Sequence, residues 1–299
     1  MMQPLEGSFV ALVTPMSPDG SLDFSALKAI VEWHIESGTN GIVSVGTTGE
    51  STTLTVKEHL KVIEKTVNFV NGRIPVIAGS GSNSTAQAIE TTSESKKLGA
   101  DYCLLITPYY NKPNQEGLIK HYMKIADAVD IPQILYNAPS RTACDIKPDT
   151  VMRLANHENI VGIKEALDKS ERLNELISIS RSIIDQKNFS VLSGDDLSFN
   201  SFMANGGDGV ISVAANIVPK DIVEICTLNL SGQFDDAKEL DAKFKSLYKL
   251  LFIESNPMPV KWMLYEMGKI DSGIRLPLVS FKSTYHEQTL EEMIKLKLI

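Results

Sequence analysis

The chain has 299 residues, 43% of them hydrophobic and 22% charged, with a formal net charge of −8. It is long enough to bury a large core, and its acidic balance argues against a nucleic-acid-binding surface. No apolar run approaches the ~18 residues that a membrane span requires, so no membrane partner is expected.

The three cysteines, Cys103, Cys144 and Cys226, are scattered, with neither metal-type spacing nor a disulfide framework. They fit a reducing, cytoplasmic setting. Met1–Glu6 carries no basic stretch leading into an apolar one, so no signal peptide is expected.

In chain order, the first apolar run is Phe9–Val13. Leu27, Ile30, Val31, His34 and Ile35 then fall on one helical face, stopped by Gly38. Gly41–Val45 is the second run. Thr55-x-x-Glu58 reads as a capping box opening a helix through Leu60, Ile63, Val67 and Val70. Pro75–Ala78 follows, then a second capping box at Ser84-x-x-Gln87, with its helix ending before Gly99. Tyr102–Ile106, Gln133–Tyr136, Ile160–Lys164, Ser190–Leu192 and Gly209–Val213 complete the set of runs. Pro148 opens a helix through Leu154, and Ser170 precedes one carrying Leu173, Leu176 and Ile177.

The eight runs are continuous in Val, Ile and Leu rather than alternating, as strands buried on both faces are. Eight such strands with helices between them predict an α/β fold, a (β/α)8 TIM barrel over residues 1–230. A C-terminal helical domain is expected over 231–299. Its predicted helices are Asp235–Phe252, Pro257–Gly268 and a last one opening at a Thr289-x-x-Glu292 capping box.

Chemistry in such a barrel sits where strands end. Ile160–Lys164 is the only run of the eight that ends on a lysine. Burial disfavours an ammonium, and a neutral amine attacks a ketone to form a Schiff base. A salt-bridged strand-end lysine is the plainer alternative. The second run leads into Gly46-Thr47-Thr48-Gly49-Glu50-Ser51, whose hydroxyls and backbone N–H groups suit a carboxylate or phosphate, or form only a tight turn. The fourth ends in Thr107-Pro108-Tyr109-Tyr110-Asn111-Lys112-Pro113.

The fifth ends in Tyr136-Asn137-Ala138-Pro139-Ser140-Arg141-Thr142. A phenol is a poor base at its ordinary pKa of ~10 unless a cation or hydroxyl network assists it, and Lys164 one strand on is such a cation. Arg141 offers a planar fork for a carboxylate. Together these groups suit a keto acid and class I aldolase chemistry, with no metal and no cofactor. None of the five histidines has a metal-ligand partner four residues on or a nearby cysteine. Gly194-Asp195-Asp196 reads as a helix cap rather than a cation site.

These four strand-end motifs, with Gly162-Ile163-Lys164-Glu165-Ala166 for the sixth strand, resemble those of the dihydrodipicolinate synthase family. The resemblance runs in order from Gly7 to about Leu278 and includes the pyruvate-type lysine motif shared with the N-acetylneuraminate lyases. It implies condensation of pyruvate with L-aspartate 4-semialdehyde, in the diaminopimelate branch of lysine biosynthesis. By resemblance, Lys164 carries the pyruvate imine and Tyr136 is the acid/base phenol. Thr47 and Tyr110 complete a proton relay, with Tyr110 reaching into a neighbouring subunit. Thr48 holds the pyruvate carboxylate, Ile211 lines the pocket through its carbonyl, and Arg141 faces the carboxylate of the aldehyde.

Arg141 separates this reading from an N-acetylneuraminate lyase, whose substrate needs sugar-hydroxyl contacts there. A 2-keto-3-deoxy sugar acid aldolase stays open as an alternative. The family also implies a homotetramer of tight dimers and a lysine feedback site. Ser51, His59, Asn83 and Tyr109 match positions expected in that site. Val56 and Gln87 depart from it, standing where histidine and glutamate are expected, so weak or absent feedback is expected.

Overall fold

The structure is a computed structural model and describes residues 4–184 and 187–299. The eight apolar runs become eight parallel strands: β1 (Gly7–Ala11), β2 (Gly41–Ser44), β3 (Val76–Gly79), β4 (Tyr102–Ile106), β5 (Gln133–Asn137), β6 (Ile160–Glu165), β7 (Ser190–Ser193) and β8 (Gly209–Ser212). They pair in sequence order, and β1 closes on β8 through Gly7↔Gly209 and Phe9↔Ile211. The result is the (β/α)8 barrel read from the sequence. Gly209 is required at this seam, because a Cβ there would stand 2.3 Å from the Gly7 carbonyl oxygen.

Helices cover the barrel by burying one stripe each. The helix Phe24–Glu36 buries Leu27, Ile30, Val31 and His34 and is capped by Asp23. The helix Val56–Val70 begins with the full Thr55/Glu58 capping box. The second expected box is half made: Ser84 accepts from the Gln87 amide, but the Gln87 side chain accepts from Ser82 Oγ at 2.9 Å instead of reaching back.

Residues 231–299 add helices and no strand. The expected helix Asp235–Phe252 is two, Phe234–Ala242 and Lys245–Leu251, with Phe244 buried at the break. Met258–Glu266 follows as expected. The last helix, His286–Lys295, opens three residues before Thr289, so the Thr289/Glu292 box is not a cap. Thr289 lies inside the helix and its hydroxyl donates to the Tyr285 carbonyl at 2.7 Å, a common alternative for an interior threonine. Phe244, Leu247, Tyr248, Leu251, Val260 and Met263 belong to the same apolar cluster as β1 and β2. The C-terminal helices are therefore packed onto the barrel's own core.

Candidate functional site

Lys164 and Tyr136 are cross-strand neighbours on β6 and β5. Lys164 Nζ stands 4.5 Å from the centroid of the Tyr136 ring. Both side chains are buried, at 6% and 8% exposure. Gly194, just beyond β7, makes room for the lysine stem: a Cβ there would come within 2.9 Å of Lys164 Cε. Among the described residues no carboxylate forms an ion pair with Lys164.

The next residue on each strand points the other way, as strand geometry requires. Asn137 Nδ2 donates to both Glu165 carboxylate oxygens at 3.0 Å and to Asp145 Oδ1 at 2.9 Å. Arg172, on the helix Ser170–Ser182, donates to Glu165 Oε2 at 2.8 Å and to the Ile146 carbonyl, and pairs with Asp145. Burial pushes the Glu165 carboxyl up, and Arg172 and Asn137 oppose that push. This network braces β5 to β6 behind the lysine and tyrosine.

The loop after β2 begins with Val45 in the left-handed region, at φ +51°. A β-branched residue there is strained. Two glycines admit the turn: a Cβ on Gly49 would stand 2.9 Å from Val45 Cα, and one on Gly79 would stand 2.5 Å from its carbonyl oxygen. Thr14 Oγ1 donates to the Gly49 carbonyl at 2.7 Å. Thr48 is buried, and its Oγ1 accepts from Asn256 Nδ2 at 2.9 Å. Glu50, fully buried, pairs with Lys261 on the helix Met258–Glu266. Burial pushes the Lys261 ammonium's pKa down and Glu50 pulls it back up. Arg275 adds a two-pronged contact to Glu58, at 2.6 and 2.9 Å, which holds that carboxyl down at about 2.

A cavity of about 490 Å³ opens between this loop and the C-terminal segment. Thr47 and Arg141 lie on its wall, as do Ser51, Val56, His59, Gln87 and Tyr109. Lys164, Tyr136, Thr48 and Ile211 do not. Arg141 is carried there by the short helix Pro139–Thr142, started by its proline. Asn83 is off the wall and donates to the Tyr109 carbonyl at 3.2 Å. His59 is within 2.8 Å of the Gly79 carbonyl, and burial lowers its pKa. Ile211 is buried in β8. Tyr110 stands apart, 90% exposed and at φ +73°.

Asp195 and Asp196 have separate tasks. Asp195 accepts from Ser198, as the cap reading expects. Asp196 instead accepts from Ser212 Oγ at 2.5 Å and from the Val213 and Ala214 amides, fixing the end of β8. Among the described residues no three His, Cys, Asp or Glu side chains group as a metal centre would.

The profile of the Dihydrodipicolinate synthetase family matches residues 4–297. The chain belongs to this family. A 4-hydroxy-tetrahydrodipicolinate synthase of Teredinibacter turnerae is 53% identical over 288 residues, covering 96% of this chain and 97% of that protein. Its counterpart from Cellvibrio japonicus is 52% identical, covering 97% and 98%. Among solved structures, a chloride-inhibited dihydrodipicolinate synthase from Acinetobacter baumannii, complexed with pyruvate, superposes with a TM-score of 0.94. It is 49% identical, covering 99% of this chain and all of that one.

The residues that sequence reasoning missed in this family member are Asn256, Lys261 and Arg275, the partners of Thr48, Glu50 and Glu58. Lys261 did leave a signal. It is the one charged residue within Met258-Pro259-Val260-Lys261-Trp262-Met263-Leu264-Tyr265, and a lone cation in an apolar helix needs a buried partner. Asn256 left none, because a single asparagine between helices reads as an ordinary turn.

Proposed function

We propose that this chain is a 4-hydroxy-tetrahydrodipicolinate synthase, a lyase that condenses pyruvate with L-aspartate 4-semialdehyde on the route through diaminopimelate to lysine. The observation that carries this is the buried Lys164 beside Tyr136 at the open end of a barrel of this family. The relatives named above share the synthase name rather than that of a sugar-acid lyase.

The Lys164 amine adds to the pyruvate ketone and water leaves as the imine forms. The imine acidifies the pyruvate methyl group, which loses a proton to give an enamine. The enamine carbon adds to the aldehyde, whose oxygen becomes a hydroxyl. The amino group of the second substrate then attacks the imine carbon, closes the six-membered ring and releases Lys164. One water is lost overall.

Tyr136, Thr47 and Tyr110 move the protons in this scheme. Thr48 takes the pyruvate carboxylate and Arg141 that of the aldehyde, a planar fork on an acid. Ile211 lines the substrate site from β8 through its backbone carbonyl. The exposed Tyr110 ring suits a contact with another subunit, and the working form is a cytoplasmic homotetramer of tight dimers. The cavity wall at Ser51, His59 and Tyr109, with Asn83 behind it, is the feedback site for lysine, weakened because Val56 and Gln87 carry no charge.

Borohydride reduction in the presence of pyruvate, read by intact mass and peptide mapping, tests the scheme. A pyruvyl adduct on Lys164 is expected. A folded, unmodified protein would remove Schiff-base chemistry altogether.

A further inference from the structure

Thr48 Oγ1 has one hydrogen bond among the described residues, and in it the hydroxyl is the acceptor. A hydroxyl carries one proton and two lone pairs. With a lone pair engaged by Asn256 Nδ2, the proton of Thr48 is left for a further acceptor. An amide carbonyl in the same place would take that proton. Whether Asn256 offers a donor or an acceptor therefore decides whether Thr48 can donate to a bound acid.

Asn256 is 6% exposed, and the cavity wall runs through Ser255, Asn256 and Pro257. Its Oδ1 is buried with no partner. An unpaired buried carbonyl is costly, and an apolar side chain would avoid that cost. What an apolar side chain would lack is the N–H on Thr48. The surroundings are held firmly enough for this one bond to set a direction. Lys261, five residues on, is buried against Glu50, two residues beyond Thr48, and the Arg275 amide also donates to Glu50 at 3.3 Å.

We infer that Asn256, from outside the barrel, is a positioning residue that orients the Thr48 hydroxyl as a donor to the carboxylate of the keto-acid substrate. This role rests on the synthase function proposed above. It makes the C-terminal segment a working part of the first substrate's site.

The test compares Asn256→Ala, Asn256→Asp, Thr48→Val and the Asn256→Ala/Thr48→Val double variant by steady-state kinetics in both substrates, with circular dichroism to verify folding. Asn256→Ala is expected to raise the KM for pyruvate about three- to tenfold and leave that for the aldehyde unchanged. Asn256→Asp keeps the shape but turns the donor into an acceptor, so it is expected to be worse than alanine. A mere packing role gives the opposite order. The double variant is expected to be no worse than Thr48→Val, since Asn256 acts through Thr48.

Equal losses in both substrates, alanine worse than aspartate, or additive effects in the double variant would each overturn the role. If Asn256→Asp does not fold, the alanine cycle decides alone. Failure of the underlying function looks different: the wild-type protein itself would give no pyruvyl adduct on Lys164. An unchanged pyruvate KM in Thr48→Val, with that adduct present, would overturn the role by removing its target.

Discussion

Replacing Lys261 with methionine keeps most of the side-chain volume and deletes one charge from a pair that has almost no access to water. The Glu50 side chain is 0% exposed and that of Lys261 5%. Without the ammonium, Glu50 retains the Arg275 amide at 3.3 Å and the Thr53 hydroxyl at 3.5 Å, both long contacts. Breaking a buried pair by removing one partner costs about 3–5 kcal/mol, because the remaining charge stays buried and uncompensated. At roughly 2–4 °C per kcal/mol, the thermal midpoint should fall by roughly 6–20 °C.

Glu50→Gln in the Lys261→Met background removes the stranded charge and keeps an acceptor for Arg275. Most of the loss should then return, as it does when both members of a buried pair become neutral. Thermal scans and guanidinium titrations of Lys261→Met, Glu50→Gln and the double variant, at one fixed protein concentration, give the comparison. A midpoint for Lys261→Met within about 2 °C of wild type would refute the assignment of Lys261 and Glu50 as a stabilising buried pair. So would a double variant whose loss is the sum of the two single ones.

Tyr110→Phe removes only an exposed hydroxyl, so the melting curve should not shift, while loss of the proposed proton relay should cut turnover by about 10²–10⁴-fold; near-normal turnover would sink the cross-subunit relay. Lysine should inhibit only weakly, because no carboxylate stands at Gln87 to pair with its ammonium; a titration saturating at low concentration would contradict this. Asp196 is fully buried and burial raises its carboxyl to about 6, from an ordinary value of 3.8. A raised folded value means that its stabilising contribution is complete below about pH 4 and is lost as pH rises through 6, on the order of 3 kcal/mol in all. Wild type should therefore lose stability relative to Asp196→Asn between pH 4 and 7 in denaturant titrations; parallel curves would rule this out.

The barrel was legible because each strand is buried on both faces and stays apolar along its length. Strand ends shifted by a residue or two, as Phe9–Val13 became Gly7–Ala11, since a run of apolar residues does not mark where pairing starts. Caps were legible where both halves are local. Thr55 and Glu58 satisfy each other, whereas Gln87 finds Ser82, a partner supplied by the tertiary fold. Thr289 satisfied the cap pattern equally well and failed, because the chain was already helical from His286. The neighbouring strand-end positions of Lys164 and Tyr136 were legible, and so were the loop positions of Thr47 and Arg141, which lie on the cavity wall. The ties from Asn256, Lys261 and Arg275 span more than 200 residues of sequence; Lys261 stands out locally as a lone cation in an apolar helix, but no local pattern names the partners.

The alternation along β5 and β6 does more than orient a lysine. Tyr136 and Lys164 share one face, and Asn137 and Glu165 the other, in the same register. Glu165 is next to Lys164 in sequence, yet its carboxylate is spent on Arg172 and Asn137 in the layer between strands and helices. If β6 slipped by one residue, every side chain would change faces, placing a carboxylate in the site and the lysine against Arg172. Arg172 and Asp145 therefore guard the register as well as filling space. In the proposed scheme the Lys164 amine attacks a ketone, and a carboxylate beside it would compete for that amine. The strand keeps the two apart with a period of two, and Arg172 supplies the cation that keeps Glu165 on its own side.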